Sequence, residues 1–358
     1  MHKTIVMTGG GTAGHVIPNI ALMPLLTGHG YKIHYIGSKC GIEKELIEKT
    51  GVHYHGIHSG KFRRYFSLKN FSDPFKILAG YITALHILRK VKPDAVFSKG
   101  GFVTVPVVFA AKRLNIPVVL HESDYTPGLA NRLCMKKALR ICVSFEDTLA
   151  RLPEGIGVYT GTPIRQSLFG GDKKRGLELL GFQGKKPVLL IMGGSLGAQA
   201  INTAVDGILE KLLPFFDVAH IRGSGALNAG LNSQTGYSQF EFVSENLEHV
   251  FAAADVMLSR AGANAVFEIL ALKIPALLIP LPKSASRGDQ ILNARYFEKK
   301  GFSMVLGQEC MTGDTLYAAI LELYSKKQGF IQAMQKENAK NSAQLIANEI
   351  LHAAGLKT

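Results

Sequence analysis

The chain has 358 residues, and at roughly 150 residues per domain that length suits two domains. Hydrophobic residues at 47% and charged residues at 19% exclude long disordered polar stretches, and a net charge of +14 asks for an anionic partner: nucleic acid, an anionic membrane or a phosphorylated substrate. The four cysteines form no C-x-x-C pair, which argues against a zinc ribbon and suits a reducing compartment; no apolar run is long enough to cross a bilayer.

In chain order, Thr4–Thr8 is a β-branched run that stops at Gly9, and a pattern of helical period follows from Pro18 to Leu26. Tyr31–Ile36, Asp94–Phe97 and Pro117–Leu120 read as further strands, with helix-length segments between them. The same opening then recurs. Pro187–Met192 is an apolar strand, Gly193–Ala198 a glycine-rich loop, and a helical stretch runs to Leu213. Val218–Ile221, Phe240–Val243, Val256–Leu258 and Ala276–Ile279 read as strands, and Gln328–Leu351 as an amphipathic helical segment. Alternating strands and helices predict α/β architecture with parallel sheets. Two doubly wound Rossmann-like halves are expected, residues 1–162 and 163–358, facing each other across a cleft. The last helix is a candidate to pack back on the first half.

Gly9-Gly-Gly-Thr12-Ala13-Gly14-His15 satisfies G-x-G-x-x-G directly after a strand. Glycines let the backbone approach a pyrophosphate, and the next helix offers N–H donors. A dinucleotide cofactor would need an acid at the end of the second strand, where Tyr35-Ile-Gly-Ser38 has none before Glu43. A Walker A loop would need Lys where His15 stands. Gly193-Gly-Ser195-Leu-Gly-Ala198 is the second anion-binding candidate. Arg165, just past the junction, can neutralise a phosphate. His53, His55 and His58 form H-x-H-x-x-H without an acidic or Cys ligand nearby, so no metal is assigned to them. D-x-D occurs nowhere, so no metal clamp on a diphosphate is signalled.

Between Lys61 and Lys92, eight cations face one anion, Asp73, with aromatics interleaved. Single-stranded nucleic acid or an anionic bilayer both suit such a segment.

Together, Gly9–His15 with Pro18, Gly100-Gly101, His121-Glu122-Ser-Asp124, Gly193–Ala198, Ser259–Glu268 and Asp289-Gln290 with Asn293 resemble the UDP-N-acetylglucosamine transferases of peptidoglycan synthesis, which convert lipid I to lipid II. The resemblance runs from about residue 4 to residue 350. It implies a GT-B fold and inverting transfer from UDP-GlcNAc to an undecaprenyl-pyrophosphate-linked acceptor. No cofactor, metal or nucleic acid is implied; attachment is peripheral, at the cytoplasmic face of an anionic membrane. By position, Thr12, Ala13 and Gly14 approach donor and acceptor, and Arg165 and Ser195 hold the donor. Val243, Ala263, Asn264, Ala265, Val266, Phe267 and Glu268 hold uracil, ribose and diphosphate, and Gln290 holds GlcNAc. His15 is the favoured general base and Glu122 its rival. Asp124 and Asp289 stand where the family carries amides, and a carboxylate accepts hydrogen bonds without donating. Another GT-B transferase with a lipid or natural-product acceptor, or a nucleotide-binding protein without catalysis, would use the same loops.

Overall fold

The computed structural model describes residues 3–60, 69–194, 198–232, 234–243, 245–337 and 341–356, and side chains within 69–74 are left aside. The chain forms two compact units, Met1–Arg165 with Lys340–Thr358, and Gln166–Ala339.

The first unit holds a seven-stranded parallel sheet: β1 (Thr4–Thr8), β2 (Lys32–Ser38), β3 (His53–Ile57), β4 (Ala95–Ser98), β5 (Val118–Glu122), β6 (Arg140–Val143) and β7 (Gly157–Tyr159). Its order is β3-β2-β1-β4-β5-β6-β7. Helices α1 (Ile17–Gly28), α2 (Ile42–Glu48), α3 (Lys69–Val91), α4 (Thr104–Arg113) and α5 (Leu129–Cys134) connect the strands. Alternation in β1 sorts the two faces. Ile5 and Met7 pack under α1, whereas Val6 joins Ala84 and Leu88 of α3 and Val107 and Val108 of α4. Neither β6 nor β7 is among the strands read from the sequence.

In the second unit, helices α6 (Lys173–Leu180), α7 (Gln199–Asp206), α8 (Leu209–Leu212), α9 (Leu247–Ala253), α10 (Ala263–Leu272), α11 (Asp289–Lys299) and α12 (Gly313–Gln335) accompany six strands. These are β8 (Val188–Met192), β9 (Asp217–Ile221), β10 (Tyr237–Phe240), β11 (Val256–Ser259), β12 (Ala276–Leu278) and β13 (Ser303–Val305), in the order β10-β9-β8-β11-β12-β13. The strand expected at 240–243 lies earlier, at Tyr237–Phe240, so Val243 falls in the loop after it. Tyr237 pairs with Val218 in the ladder and buries its ring beside His220, and this fixes the register.

The final helix, α13 (Ser342–Ala353), lies in the first unit. Ile346, Ala347, Ile350 and Leu351 form its apolar stripe and are fully buried with Leu22 and Leu26 of α1. Each large side chain so buried contributes roughly 1.5–3 kcal/mol.

Both sheets reverse their winding once, between β1 and β4 and between β8 and β11. Loops leaving the carboxyl ends of those strands diverge there and leave a crevice, which is where open α/β sheets bind ligands.

Candidate active site

The loop after β1 sits at the first reversal point. Gly11 and Gly101 both have positive φ, and a Cβ on Gly101 would overlap the carbonyl oxygen of Gly10. Residues 9–15 and 100–101 therefore pack backbone to backbone. The Glu43 side chain, 1% exposed, reaches back beneath them: it accepts from the Ser38 hydroxyl, from Ser38 N at 3.3 Å and from Gly11 N at 3.4 Å. Asn19 donates to the carbonyl oxygens of Thr8 and His15 and to the Tyr35 hydroxyl, which donates in turn to Gly9 O at 2.8 Å. The loop is thus held from below by three side chains.

His15 is half-buried, and Thr12 is exposed. The His15 Nδ1 lies 3.0 Å from Gly10 O and 3.2 Å from Thr12 Oγ1. A carbonyl oxygen only accepts, so Nδ1 carries a proton, and in the neutral tautomer of the ring the lone pair lies on Nε2.

At the end of β5, Glu122 is 4% exposed. One carboxylate oxygen accepts from Asp124 N at 3.0 Å, and the other from Gly128 N at 2.8 Å and Asn131 Nδ2 at 2.9 Å. Burial, and then the charge of Asp124, raise its pKa, against the pull of these donors. Both oxygens are occupied in shaping the loop 123–128, which is the role of an anchor. Lys99, 1% exposed at the end of β4, donates to the Ser123 hydroxyl. Burial brings its pKa down to about 8, while Glu122 and Asp124 hold it up. Asp124 therefore shares a charged cluster with Glu122 and a buried ammonium.

In the second unit the amino end of α10 lies at the second reversal point. The first turn of a helix does not satisfy its own N–H groups, and Ala263, Asn264 and Ala265 supply those here. Asn264 and Glu268 are half-buried and four residues apart, on one face. Val266 and Phe267 are 0% and 4% exposed, and Phe267 packs edge-on against Phe297 at 5.4 Å. Their side chains serve the core, and Asn264, Ala265 and Glu268 are the half-buried members of the stretch 263–268. Gln290 Oε1 accepts from Leu281 N at 3.1 Å, which turns its amide N–H groups outward as donors. Asn293 donates to Ala261 O at 3.1 Å and joins α11 to the entry of α10. The Asp289 carboxylate pairs with Arg287 at 2.7 Å, which offsets its charge. Arg165 ends the first of the two chain segments that make up the first unit and is half-buried. Ser195 lies outside the described residues.

On the surface of the first unit, Phe75, Leu78 and Ile82 form a stripe on α3 and are 76%, 55% and 59% exposed. Phe109 is also exposed, with the Lys137 ammonium over its ring and Lys112 and Arg113 beside it. Residues 61–68 of the basic segment lie outside the described residues. No helix among the described residues is long and apolar enough to cross a membrane.

Residues 5–143 match the model of the glycosyltransferase family 28 N-terminal domain, and residues 188–350 that of its C-terminal domain. The chain belongs to glycosyltransferase family 28. It is 55% identical over 348 residues to a protein of Lachnospira eligens, covering 97% of this chain and 98% of that one. It is 54% identical over 344 residues to a protein of Lachnoclostridium phytofermentans, covering 96% and 97%. Both are named UDP-N-acetylglucosamine–N-acetylmuramyl-(pentapeptide) pyrophosphoryl-undecaprenol N-acetylglucosamine transferase. The crystal structure of Acinetobacter baumannii MurG superposes with a TM-score of 0.75 at 25% identity, covering 98% of this chain and 99% of that one. The fold is that of GT-B glycosyltransferases, with one Rossmann-like sheet in each unit.

Within this family 28 chain, sequence reasoning missed Glu43 and Lys99. Glu43 is passed over as a ribose acid out of place, yet it supports the glycine loop. A lysine directly before Gly100-Gly101, at the end of an apolar strand, is the signal that could have found Lys99.

Proposed function

We propose that this protein transfers GlcNAc from UDP-GlcNAc to the C4 hydroxyl of MurNAc in undecaprenyl-pyrophosphoryl-MurNAc-pentapeptide, with inversion and release of UDP. The observation that carries this reading is the match, over 97% of the chain, to relatives named for that reaction. The site chemistry supports it. His15 Nε2 takes the proton of the acceptor hydroxyl as its oxygen attacks C1 of GlcNAc from the face opposite UDP. The C1–O bond breaks, and its electron pair leaves on the diphosphate. Backbone N–H groups at the amino end of α10, together with Arg165, stabilise that charge without a metal. Glu268 accepts from the ribose hydroxyls, and Gln290 donates to GlcNAc. Glu122 and Lys99 shape the loop that meets the acceptor.

The exposed stripe Phe75, Leu78 and Ile82, with the cations around Phe109, rests on an anionic membrane at its cytoplasmic face, where the acceptor's polyprenyl chain lies. The test is transfer of labelled GlcNAc to a short-chain lipid I analogue. Equimolar UDP and labelled disaccharide are expected. UDP release without a glycosylated acceptor, or preference for another UDP-sugar, would overturn the reading.

A further inference from the structure

We propose that His34, His53 and His55 form a binding site for a divalent transition-metal ion of the imidazole-preferring class, such as Zn²⁺, separate from the transfer chemistry. The sequence groups His53 and His55 with His58, but the fold replaces His58 with His34. His58 Nε2 lies 2.7 Å from Lys39 Nζ. Parallel pairing sets His34 directly opposite His53, and His55 follows two residues on, so all three project from one face of the sheet. A ligand nitrogen from each ring lies within 4.8 Å of the others. Four-coordinate zinc with Zn–N bonds of about 2.0–2.1 Å needs nitrogens about 3.4 Å apart, within reach of small ring rotations.

The His34 Nδ1 and His55 Nε2 are already 3.0 Å apart. They share one proton, and an ion placed between them moves that proton to the far nitrogen of its ring, with no net release. A cavity of about 530 Å³ opens over the trio, lined also by His86, Lys32 and Lys90. It leaves the fourth coordination position to His86 or a water. Burial, then neighbouring His53, His34 and Lys90, hold the His55 pKa down at about 4. Burial and then Lys32 lower that of His34. The two lysines oppose a dication but favour an anionic ligand at the open position.

The cavity over the trio opens toward the amino ends of β1 and β2, where Thr4 and Lys32 line it, whereas the glycine loop leaves the carboxyl end of β1. A bound ion would fasten β3, an edge strand, to β2.

The full chain, free of any tag and stripped with EDTA, is titrated with Co²⁺ and then Zn²⁺. The expected result is one equivalent of Co²⁺ with the visible absorption of a four-coordinate ion, displaced by one equivalent of Zn²⁺. His53→Gln, at an exposed position, should lower affinity by at least the roughly tenfold that even an outer-shell partner is worth. His34→Gln and His55→Gln should do the same, and His58→Gln should leave it unchanged. Absence of stoichiometric binding would overturn the proposal. So would binding that His53→Gln does not weaken, or that His58→Gln does.

Discussion

The carbonyl oxygen of Gly10 fixes the tautomer of His15, by an Nδ1 contact of 3.0 Å inside a loop that glycine alone can form. A Cβ on Gly10 would sit 2.7 Å from Glu43 Oε1, so the residue that orients the imidazole is itself locked by the carboxylate below. His15→Ala should lower kcat by about 10²–10⁴ with donor affinity little changed. The acidic limb of the kcat/KM profile should vanish with it. Glu122→Gln is the control. Its oxygens anchor a loop, so that change should weaken acceptor use and leave the limb in place. If the limb follows Glu122, the assignment of the base is wrong.

Lys99 predicts an alkaline limb. Its ammonium balances Glu122 and Asp124 at pH 7 and is lost near pH 8. Activity should fall above that point to a lower plateau, and Lys99→Met should show that reduced activity without the limb. The stability effect has the opposite sense. The folded-state pKa is depressed below that of an unfolded lysine, so the unfolded chain binds the extra proton between them. Wild-type stability relative to Lys99→Met should therefore rise from about pH 8 to about pH 10.4, and be flat below pH 7. Urea unfolding across that range tests it, and a gap that shrinks with pH would contradict the buried-ammonium reading.

Glu268 and Gln290 can be separated calorimetrically. Removing one partner of a ligand hydrogen bond costs about 1–3 kcal/mol. Glu268→Ala should weaken UDP and UDP-GlcNAc alike. Gln290→Glu keeps an acceptor for Leu281 N and replaces the amide donor by a carboxylate oxygen. It should leave UDP binding intact and weaken UDP-GlcNAc. Equal losses for both ligands in both variants would refute these roles.

Membrane contact through α3 predicts that Phe75→Ser, Leu78→Ser and Ile82→Ser together abolish sedimentation with anionic vesicles. Turnover of a water-soluble acceptor should persist. Wild-type binding should also weaken with salt, since the attraction is screened over about 10 Å at 0.1 M. A triple variant that still sediments would place the contact elsewhere.

The sequence by itself determined the features that depend on neighbouring residues. A β-branched run followed by Gly9–Gly14 specifies strand, tight turn and helix start, because glycine suits the positive φ at Gly11 and the close approach of the His15 carbonyl at Gly9. Repetition of that unit after Met192 specifies two α/β halves, and the ordered motifs specify the family. The tertiary structure decided whatever depends on which segments lie side by side. Strand pairing brings His34 to His53, and Lys99 to the loop after β5. Burial against α1 assigns α13 to the first unit. Phe297 draws Phe267 into the core and leaves Glu268 on the other face. Glu43 supports Gly11 across 32 residues of chain. Helical and strand periods tell which residues share a face, but not what that face will meet; the partner is chosen by long-range burial and pairing, which no local pattern encodes.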